Sequence, residues 1–205
     1  MLSIINDLKN HYPVAGGGFS DIYLIEGKIV KVLEDGCWSD TIVETVLQKQ
    51  AADAGLAPQV HGITTKGDEV IVVMDSVPSG FVNLGDDDLV PTLLGDLPLT
   101  DALDGLTLFC RLIVAGILHA DYHTGNWFQG PNGQTMAIDF GLAARVVDAS
   151  DRYLTRAIQT MLPVLQSAGY PGLSNALIES VGDADAMRSA IVGAAHAFLN
   201  DQEDA

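Results

Sequence analysis

The chain has 205 residues, with 27 Asp or Glu against 10 Lys or Arg, so that its formal net charge at pH 7 is −17. A protein that binds DNA, RNA or an anionic membrane needs a concentrated basic patch to neutralise phosphates, and this composition favours no such partner. Hydrophobic residues make up 48% of the sequence, too many for a disordered acidic chain. We therefore expect a globular protein whose partners are cationic or neutral.

Neither the cysteines nor the apolar segments point to secretion or to a membrane. Cys37 and Cys110 match no metal-ligand spacing, and we interpret them as reduced thiols. The N-terminus lacks a basic region followed by a long apolar stretch. The longest apolar segment, residues 106–118, is interrupted by Arg111 and is too short to span a bilayer. We therefore expect a cytoplasmic protein.

The first third of the chain has the pattern of strands with one helix. Residues 19–33 alternate around a turn at 26–28, which predicts a hairpin. Residues 41–55 have a helical pattern that ends at a glycine. Residues 60–74 predict a second hairpin, with its turn at 66–68.

After residue 75 the character changes from strands to helices. Residues 75–80 are rich in turn-forming residues and are typical of a linker. A polar loop and hairpin over residues 116–143 separates the first two predicted helices. We predict an α+β protein with a small β-rich N-lobe, residues 1–75, and a reduced helical C-lobe, residues 76–205. The helices of the C-lobe are predicted over residues 99–115, 151–166, 173–180 and 184–199.

Two features of the N-lobe suit a nucleotide. Gly16, Gly17 and Gly18 precede a strand, where backbone N–H groups can approach a phosphate without a Cβ in the way; a glycine triplet is also typical of a flexible turn. Lys31 lies inside a strand between two valines. Either the alternation points Lys31 to solvent, or it is paired, because an unpaired buried charge is costly. Glu44 in the following helix is the candidate partner.

The segment HADYHTGN carries the strongest signal. Asp121 and Asn126 are five residues apart, and Asp139, in the sequence IDFG, follows eighteen residues after Asp121. This is the pattern H-x-D-x-x-x-x-N followed by D-F-G, in which a carboxylate orients an attacking hydroxyl. An amide oxygen and a second carboxylate are ligands that suit Mg²⁺. The matched order of the N-lobe motifs argues against coincidence.

On these motifs, residues 14–160 resemble the protein-kinase-like superfamily. The resemblance implies that ATP and Mg²⁺ are the cofactors and that the glycine triplet covers the phosphates. It implies that Lys31 contacts the α- and β-phosphates and pairs with Glu44. It also implies that Asp121 is the catalytic base, and that Asn126 and Asp139 bind the metal.

The resemblance also assigns the adenine pocket and the centre of the catalytic loop. Met74 would lie at the back of the adenine pocket, and the backbone of Asp75 to Val77 would form the hinge that meets adenine. His119 would be a structural residue of the catalytic loop. Asp151 is either the helix residue that braces this loop or an ordinary N-terminal helix Asp.

Several departures from the usual kinase pattern point to a minimal kinase. Ala15 and Ser20 stand where the phosphate loop usually has glycines, and Ala120 replaces the Arg that reads a phosphorylated activation loop. About ten residues separate Gly141 from the next helix, which leaves no room for a conventional activation segment. The string H-A-D-x-H-x-G-N is similar to UbiB-type atypical kinases and to phage-encoded kinases, and the following stretch resembles RIO-type kinases.

These features predict a minimal ATP-dependent kinase, with a protein serine or threonine as the favoured acceptor. A kinase for a small amine, such as an aminoglycoside or an amino alcohol, is the second interpretation, and an ATP-binding pseudokinase adaptor is the third. The acidic run at Asp86, Asp87 and Asp88 is either a solvated loop or the rim of a site for a basic acceptor. A partner protein that presents the substrate is a further expectation.

Overall fold

A computed structural model describes residues 2–16, 20–33, 38–85 and 92–203. The described residues form two compact units, Met1–Ser79 and Gly80–Ala205, and their mixture of helices and small sheets confirms the α+β class. The predictions for Gly17, Gly18 and the acidic run at 86–88 lie outside the described residues.

The first unit contains a five-stranded antiparallel sheet in the order β1-β2-β3-β5-β4. The strand β5 has buried, apolar residues from 70 to 74, because a hydrophobic cluster covers each of its faces. Ile71 and Val73 belong to one cluster, and Val70, Val72 and Met74 belong to the other. One hydrophobic cluster includes α1, β3 and β5, and a second includes β3, β4 and β5. The elements are α1 Leu2–Asp7, β1 Ala15–Gly16, β2 Ser20–Ile25, β3 Lys28–Leu33, α2 Trp38–Asp53, β4 Val60–Lys66 and β5 Glu69–Asp75.

Both predicted hairpins form, but each turn is one residue shorter than predicted. Lys28 pairs with Ile25, and Lys66 pairs with Glu69, so that both lysines belong to strands. The first turn consists of Glu26 and Gly27, both with positive φ angles, 51° and 73°. Two such residues are what a type I′ turn requires, and its twist matches that of the flanking strands.

The helix α2 begins three residues before its predicted start, at Trp38 instead of residue 41, and ends at Asp53. Gly55 has a φ of 75°, and its N–H donates to the Ala52 carbonyl at 2.9 Å. A glycine in the left-handed conformation ends helices in this way, as the sequence predicted.

The second unit contains four helices and two small sheets in its described residues. One sheet has the order β6-β8-β9, and the other pairs β7 with β10. The four helices lie close to their predicted ranges. The elements are β6 Val82–Asn83, α3 Leu99–Val114, β7 Ile117–His119, β8 Trp127–Gln129, β9 Thr135–Ala137, β10 Ala143–Arg145, α4 Asp151–Ser167, α5 Pro171–Ser180 and α6 Ala184–Glu203.

The apolar face of α3 forms much of the core of this unit. The apolar segment 106–118 is the end of this helix followed by β7. Cys110 is a free, fully buried thiol, and burial raises its pKa to about 12. Among the helices that the structure describes, none is long and apolar enough to cross a membrane.

Close packing at Gly105 of α3 yields a stability prediction. A Cβ at this position would lie 2.6 Å from a Leu94 methyl and 2.9 Å from the Trp127 ring. Gly105→Ala should therefore lower the free energy of unfolding by about 1–3 kcal/mol, through overpacking. Chemical denaturation measures this change.

The matched control is Gly193→Ala in α6, where an added Cβ would meet nothing within 4 Å. This substitution should raise the free energy of unfolding by up to about 1 kcal/mol, because alanine is the better helix former. Equal effects at both positions would contradict the packing argument.

Candidate active site

In the first unit, Lys31 and Glu44 form an ion pair. The Lys31 ammonium, on β3, donates to Glu44 Oε1 on α2 at 2.6 Å. The two side chains are only 14% and 11% exposed, so that the solvent-facing alternative for Lys31 does not hold. Partial burial strengthens the attraction between the charges and also makes the loss of either partner expensive. That both residues serve a nucleotide stays a prediction.

The glycine predicted for the phosphate loop lies at the sheet edge. Gly16 is exposed on β1 and pairs with Asp21 of β2. A Cβ on Gly16 would approach the Asp21 carboxylate to 3.0 Å, so a larger residue would crowd this edge. Only the end of the exposed Asp21 side chain would have to move, and the role of Gly16 beside a phosphate stays a prediction.

The predicted hinge residues occupy the end of β5 and the coil after it. Gln48 donates to the buried Met74 sulfur at 3.0 Å, which fixes both side chains. The Asp75 N–H donates to the Gln59 carbonyl at 2.8 Å, so this N–H is not available to a base. In the described part of the chain the Val77 N–H makes no hydrogen bond, as a hinge donor requires.

The Asp75 carboxylate takes part in a small polar cluster. It accepts hydrogen bonds from Lys28 and from His61, the latter at 2.8 Å. These two bonds lower the pKa of Asp75. The cluster ties the end of β5 to the neighbouring strands β3 and β4.

In the second unit, His119 anchors residues 119–126, which we name the catalytic loop after their predicted role. Its Nε2–H donates to the Ile138 carbonyl at 2.8 Å, and its ring meets Tyr122 and Phe140 edge-on. His119 is 1% exposed, and burial lowers its pKa. The ring is therefore neutral at pH 7, in agreement with a structural role.

Asn126 connects the catalytic loop to the β8–β9 hairpin. Its side-chain Nδ2 donates to the Asp121 carbonyl at 2.9 Å, and its own carbonyl accepts from the Ile138 N–H at 2.9 Å. Because Nδ2 is used in this way, the amide is oriented and Oδ1 is the atom that can serve a metal. The Asn126 side chain is buried.

Asp139 lies at the same end of that hairpin. Asn126 immediately precedes β8 and Asp139 follows β9 by two residues, and the register pairs Trp127 with Ala137. Asp139 has a φ of 56°, a left-handed conformation that is uncommon outside glycine and is often found at functional sites. Its Oδ1 accepts from the Gly141 N–H at 3.4 Å.

His123 lies beside the predicted catalytic carboxylate. Its Nδ1 is 3.1 Å from the Gly125 N–H nitrogen, and its Nε2 is 3.1 Å from Asn126 Nδ2 and 3.8 Å from Asp121 Oδ2. A neutral imidazole has one acceptor nitrogen, so only one of the two 3.1 Å contacts is a hydrogen bond in a given tautomer. Either bond stiffens the loop next to Asp121.

Arg156 is a site residue that sequence reasoning missed. It lies on α4, and its Nη1 donates to the Ala120 carbonyl at 2.9 Å and lies 3.9 Å from Asp121 Oδ1. Asp151, predicted to be either a brace of this loop or an ordinary N-terminal helix Asp, is exposed at the first residue of α4. No sequence signal marks Arg156, because its contact with the loop joins residues 36 positions apart.

A cavity of about 530 Å³ opens beside Asp121. Its walls come from the loop before α3, from the catalytic loop and from one side of α4, all within the second unit. The lining residues are Leu93, Leu94, Gly95, Asp96, Ala120, Asp121, Tyr122, His123, Arg156, Gln159, Thr160 and Pro163.

The donor set of Asn126 and Asp139 fits Mg²⁺ better than a transition metal. Among the described residues no cluster of three or more His, Cys, Asp or Glu could hold a metal ion. One amide oxygen and one carboxylate are hard ligands, and Mg²⁺ commonly takes one or two protein ligands while substrate phosphates and water complete its shell.

Residues 104–164 match the model of the ABC1 atypical kinase-like domain. This stretch includes Asp121, Asn126, Asp139 and Arg156, and it covers under a third of the chain. The match supports the protein-kinase-like superfamily and a kinase-like activity with ATP binding. No curated protein matches the chain.

The Lys31–Glu44 pair yields a stability prediction. Glu44→Gln should lower the free energy of unfolding by about 1–3 kcal/mol, because a charge-assisted bond is lost and a shielded ammonium is left behind. The control is Lys49→Met, which removes an exposed i,i+4 pair with Asp53 and should change the value by less than about 0.5 kcal/mol. Urea denaturation compares the two, and equal losses would show that shielding of the Lys31–Glu44 pair is unimportant.

His119 predicts how stability depends on pH. The unfolded chain takes up a proton on this residue below about pH 6.5, whereas the native state resists protonation because its pKa is lowered. Stability should therefore fall as the pH drops from about 7.5 to 5.5, and His119→Gln should make this fall shallower. Denaturation midpoints across the range measure the slope. His196 is exposed. If His196→Gln made the fall in stability equally shallow, the attribution of this pH dependence to His119 would be wrong.

Proposed function

We propose that the protein is an ATP-dependent phosphotransferase that transfers the γ-phosphoryl group of ATP to a hydroxyl. The observation that carries this proposal is the bonded arrangement of the catalytic loop. Asn126 holds the Asp121 carbonyl, and the β8–β9 hairpin brings Asn126 and Asp139 to one end. The family match over the same stretch supports it.

In this proposal Asp121 orients the acceptor hydroxyl and takes up its proton. The hydroxyl oxygen forms a bond to the γ-phosphorus, the bond from that phosphorus to the β,γ-bridging oxygen breaks, and ADP leaves. Asn126 Oδ1 and the Asp139 carboxylate hold Mg²⁺, which when bound offsets the negative charge of the phosphates. Positioning of the reactants supplies most of the rate.

The first unit contributes the nucleotide contacts. Lys31, oriented by its pair with Glu44, binds the α- and β-phosphates, and the loop that contains Gly16 covers them. The Asp75 carbonyl and the Val77 N–H bind the adenine edge.

Two acceptor classes remain. A protein serine or threonine is the class drawn from the small size of the chain and its short segment between Asp139 and α4; such an acceptor could be basic and presented by a partner protein. The cavity beside Asp121 favours the second class, a small hydroxylated molecule, because its volume lies within the range of small-ligand sites. A pseudokinase adaptor is less favoured, because the sequence keeps all five polar residues expected of an active kinase: Lys31, Glu44, Asp121, Asn126 and Asp139.

Labelling with γ-³²P-ATP and Mg²⁺ tests the proposal. The purified protein should label a fraction of a cell lysate that contains proteins and small molecules, and Asp121→Asn should reduce this labelling by about 10²–10⁴-fold. Asp151→Asn, an exposed change on α4, is the matched control and should keep most of the activity.

A thermal shift with ATP separates the remaining outcomes. A shift without transfer to any acceptor would favour the adaptor, and neither shift nor transfer would refute the proposal. Labelled proteins would support the serine/threonine class, and label confined to small molecules would support the second class.

A further inference from the structure

We propose that the cavity beside Asp121 binds a small polyhydroxylated molecule, neutral or cationic, and that Arg156 binds the oxygen adjacent to the hydroxyl held by Asp121. The identification of this molecule as the phosphate acceptor rests on the proposed function. The binding itself does not.

The size and shape of the cavity suit a molecule as large as a sugar. Its volume of about 530 Å³ lies inside the usual range for small-ligand sites. One wall is held firmly, because a Cβ on Gly95 would lie 2.8 Å from Pro163 of α4. The loop and the helix therefore pack closely and give the cavity a fixed boundary.

Arg156 supplies hydrogen-bond donors that the fold does not use. Its Nη1 donates to Ala120, while Nε and Nη2 make no hydrogen bond within the described residues. The guanidinium stays protonated in proteins and has no acceptor atom. A ligand that satisfies it must therefore bring an oxygen or another acceptor.

The spacing of Arg156 and Asp121 selects neighbouring oxygens. The Nη1 nitrogen carries a second N–H besides the one bonded to Ala120, and it lies 3.9 Å from the acceptor Oδ1 of Asp121. A hydroxyl donates to the carboxylate, and the oxygen on the adjacent carbon can accept from the guanidinium at the same time. Vicinal hydroxyls, as in sugars and polyols, present this pair.

The charges on the walls disfavour an anion. The carboxylates of Asp96 and Asp121 line the cavity together with Arg156, so that a carboxylate ligand would meet two like charges. An ammonium group could bind the exposed Asp96, and the exposed apolar side chains of Leu93 and Pro163 can cover the C–H face of a ring. A neutral or cationic polyol fits all of these groups.

Ligand-detected NMR with the full chain, without nucleotide, tests the proposal. The probes are glucosamine, glucose and glucuronate, which share one ring and differ in charge. We expect glucosamine to bind at least as tightly as glucose, and both more tightly than glucuronate. Arg156→Met should weaken binding of both by about tenfold or more, the value of a charge-assisted hydrogen bond. Arg152→Met, an exposed change on the same helix, should leave it unchanged.

Asp96→Asn provides a second test that does not depend on the loop bond of Arg156. Asp96 is exposed, so the variant should fold. It should bind glucosamine more weakly and should bind glucose as tightly as the unchanged protein does. Failure of all three probes to bind, strongest binding of glucuronate, or equal losses for Arg156→Met and Arg152→Met would overturn the proposal. Sugar binding without any phosphate transfer would instead refute the proposed function and keep the site.

Discussion

The candidate site depends on a short chain of hydrogen bonds that runs through the β8–β9 hairpin. The His119 ring donates to the Ile138 carbonyl, and the Ile138 N–H donates to the Asn126 carbonyl. The Asn126 side-chain amide in turn donates to the Asp121 carbonyl. Each bond is partly or fully shielded from water, where an unmade bond is costly. The chain therefore connects Asp121, the predicted base, to Asn126 and Ile138, the two residues that flank the hairpin carrying the predicted metal ligands.

Local patterns predicted most of the elements, because their signals lie in adjacent residues. The alternating pattern predicted both hairpins, and the glycine at position 55 predicted the end of α2. Each turn was predicted one residue too long. Lys28 and Lys66 are polar residues next to a glycine, which is typical of turns, but in the structure both pair with the neighbouring strand. The motif spacing placed Asp121, Asn126 and Asp139 in one loop region. The hydrogen bonds that join this region depend on the register of the β8–β9 hairpin, and the sequence predicted a hairpin there without its register.

Features made by distant segments could not be predicted. Arg156 meets the catalytic loop 36 residues away, and no local pattern marks a guanidinium that bonds to a carbonyl. The cavity depends on the packing of Gly95 against Pro163, and no motif or spacing in the sequence links these two residues. Spacing predicted which residues would act on phosphate, whereas tertiary packing decides which side chains lie beside Asp121.

The segment between Asp139 and α4 is built into the fold at several points. Its strand β10 pairs with β7, the Val146 N–H donates to the Gly116 carbonyl at 2.9 Å, and Arg188 of α6 donates to the Val146 carbonyl at 3.1 Å. In many kinases the corresponding segment changes from disorder to order and so controls activity. Here the segment has the anchoring of a structural element, so ordering of this segment would not serve as the switch of a kinase of this design.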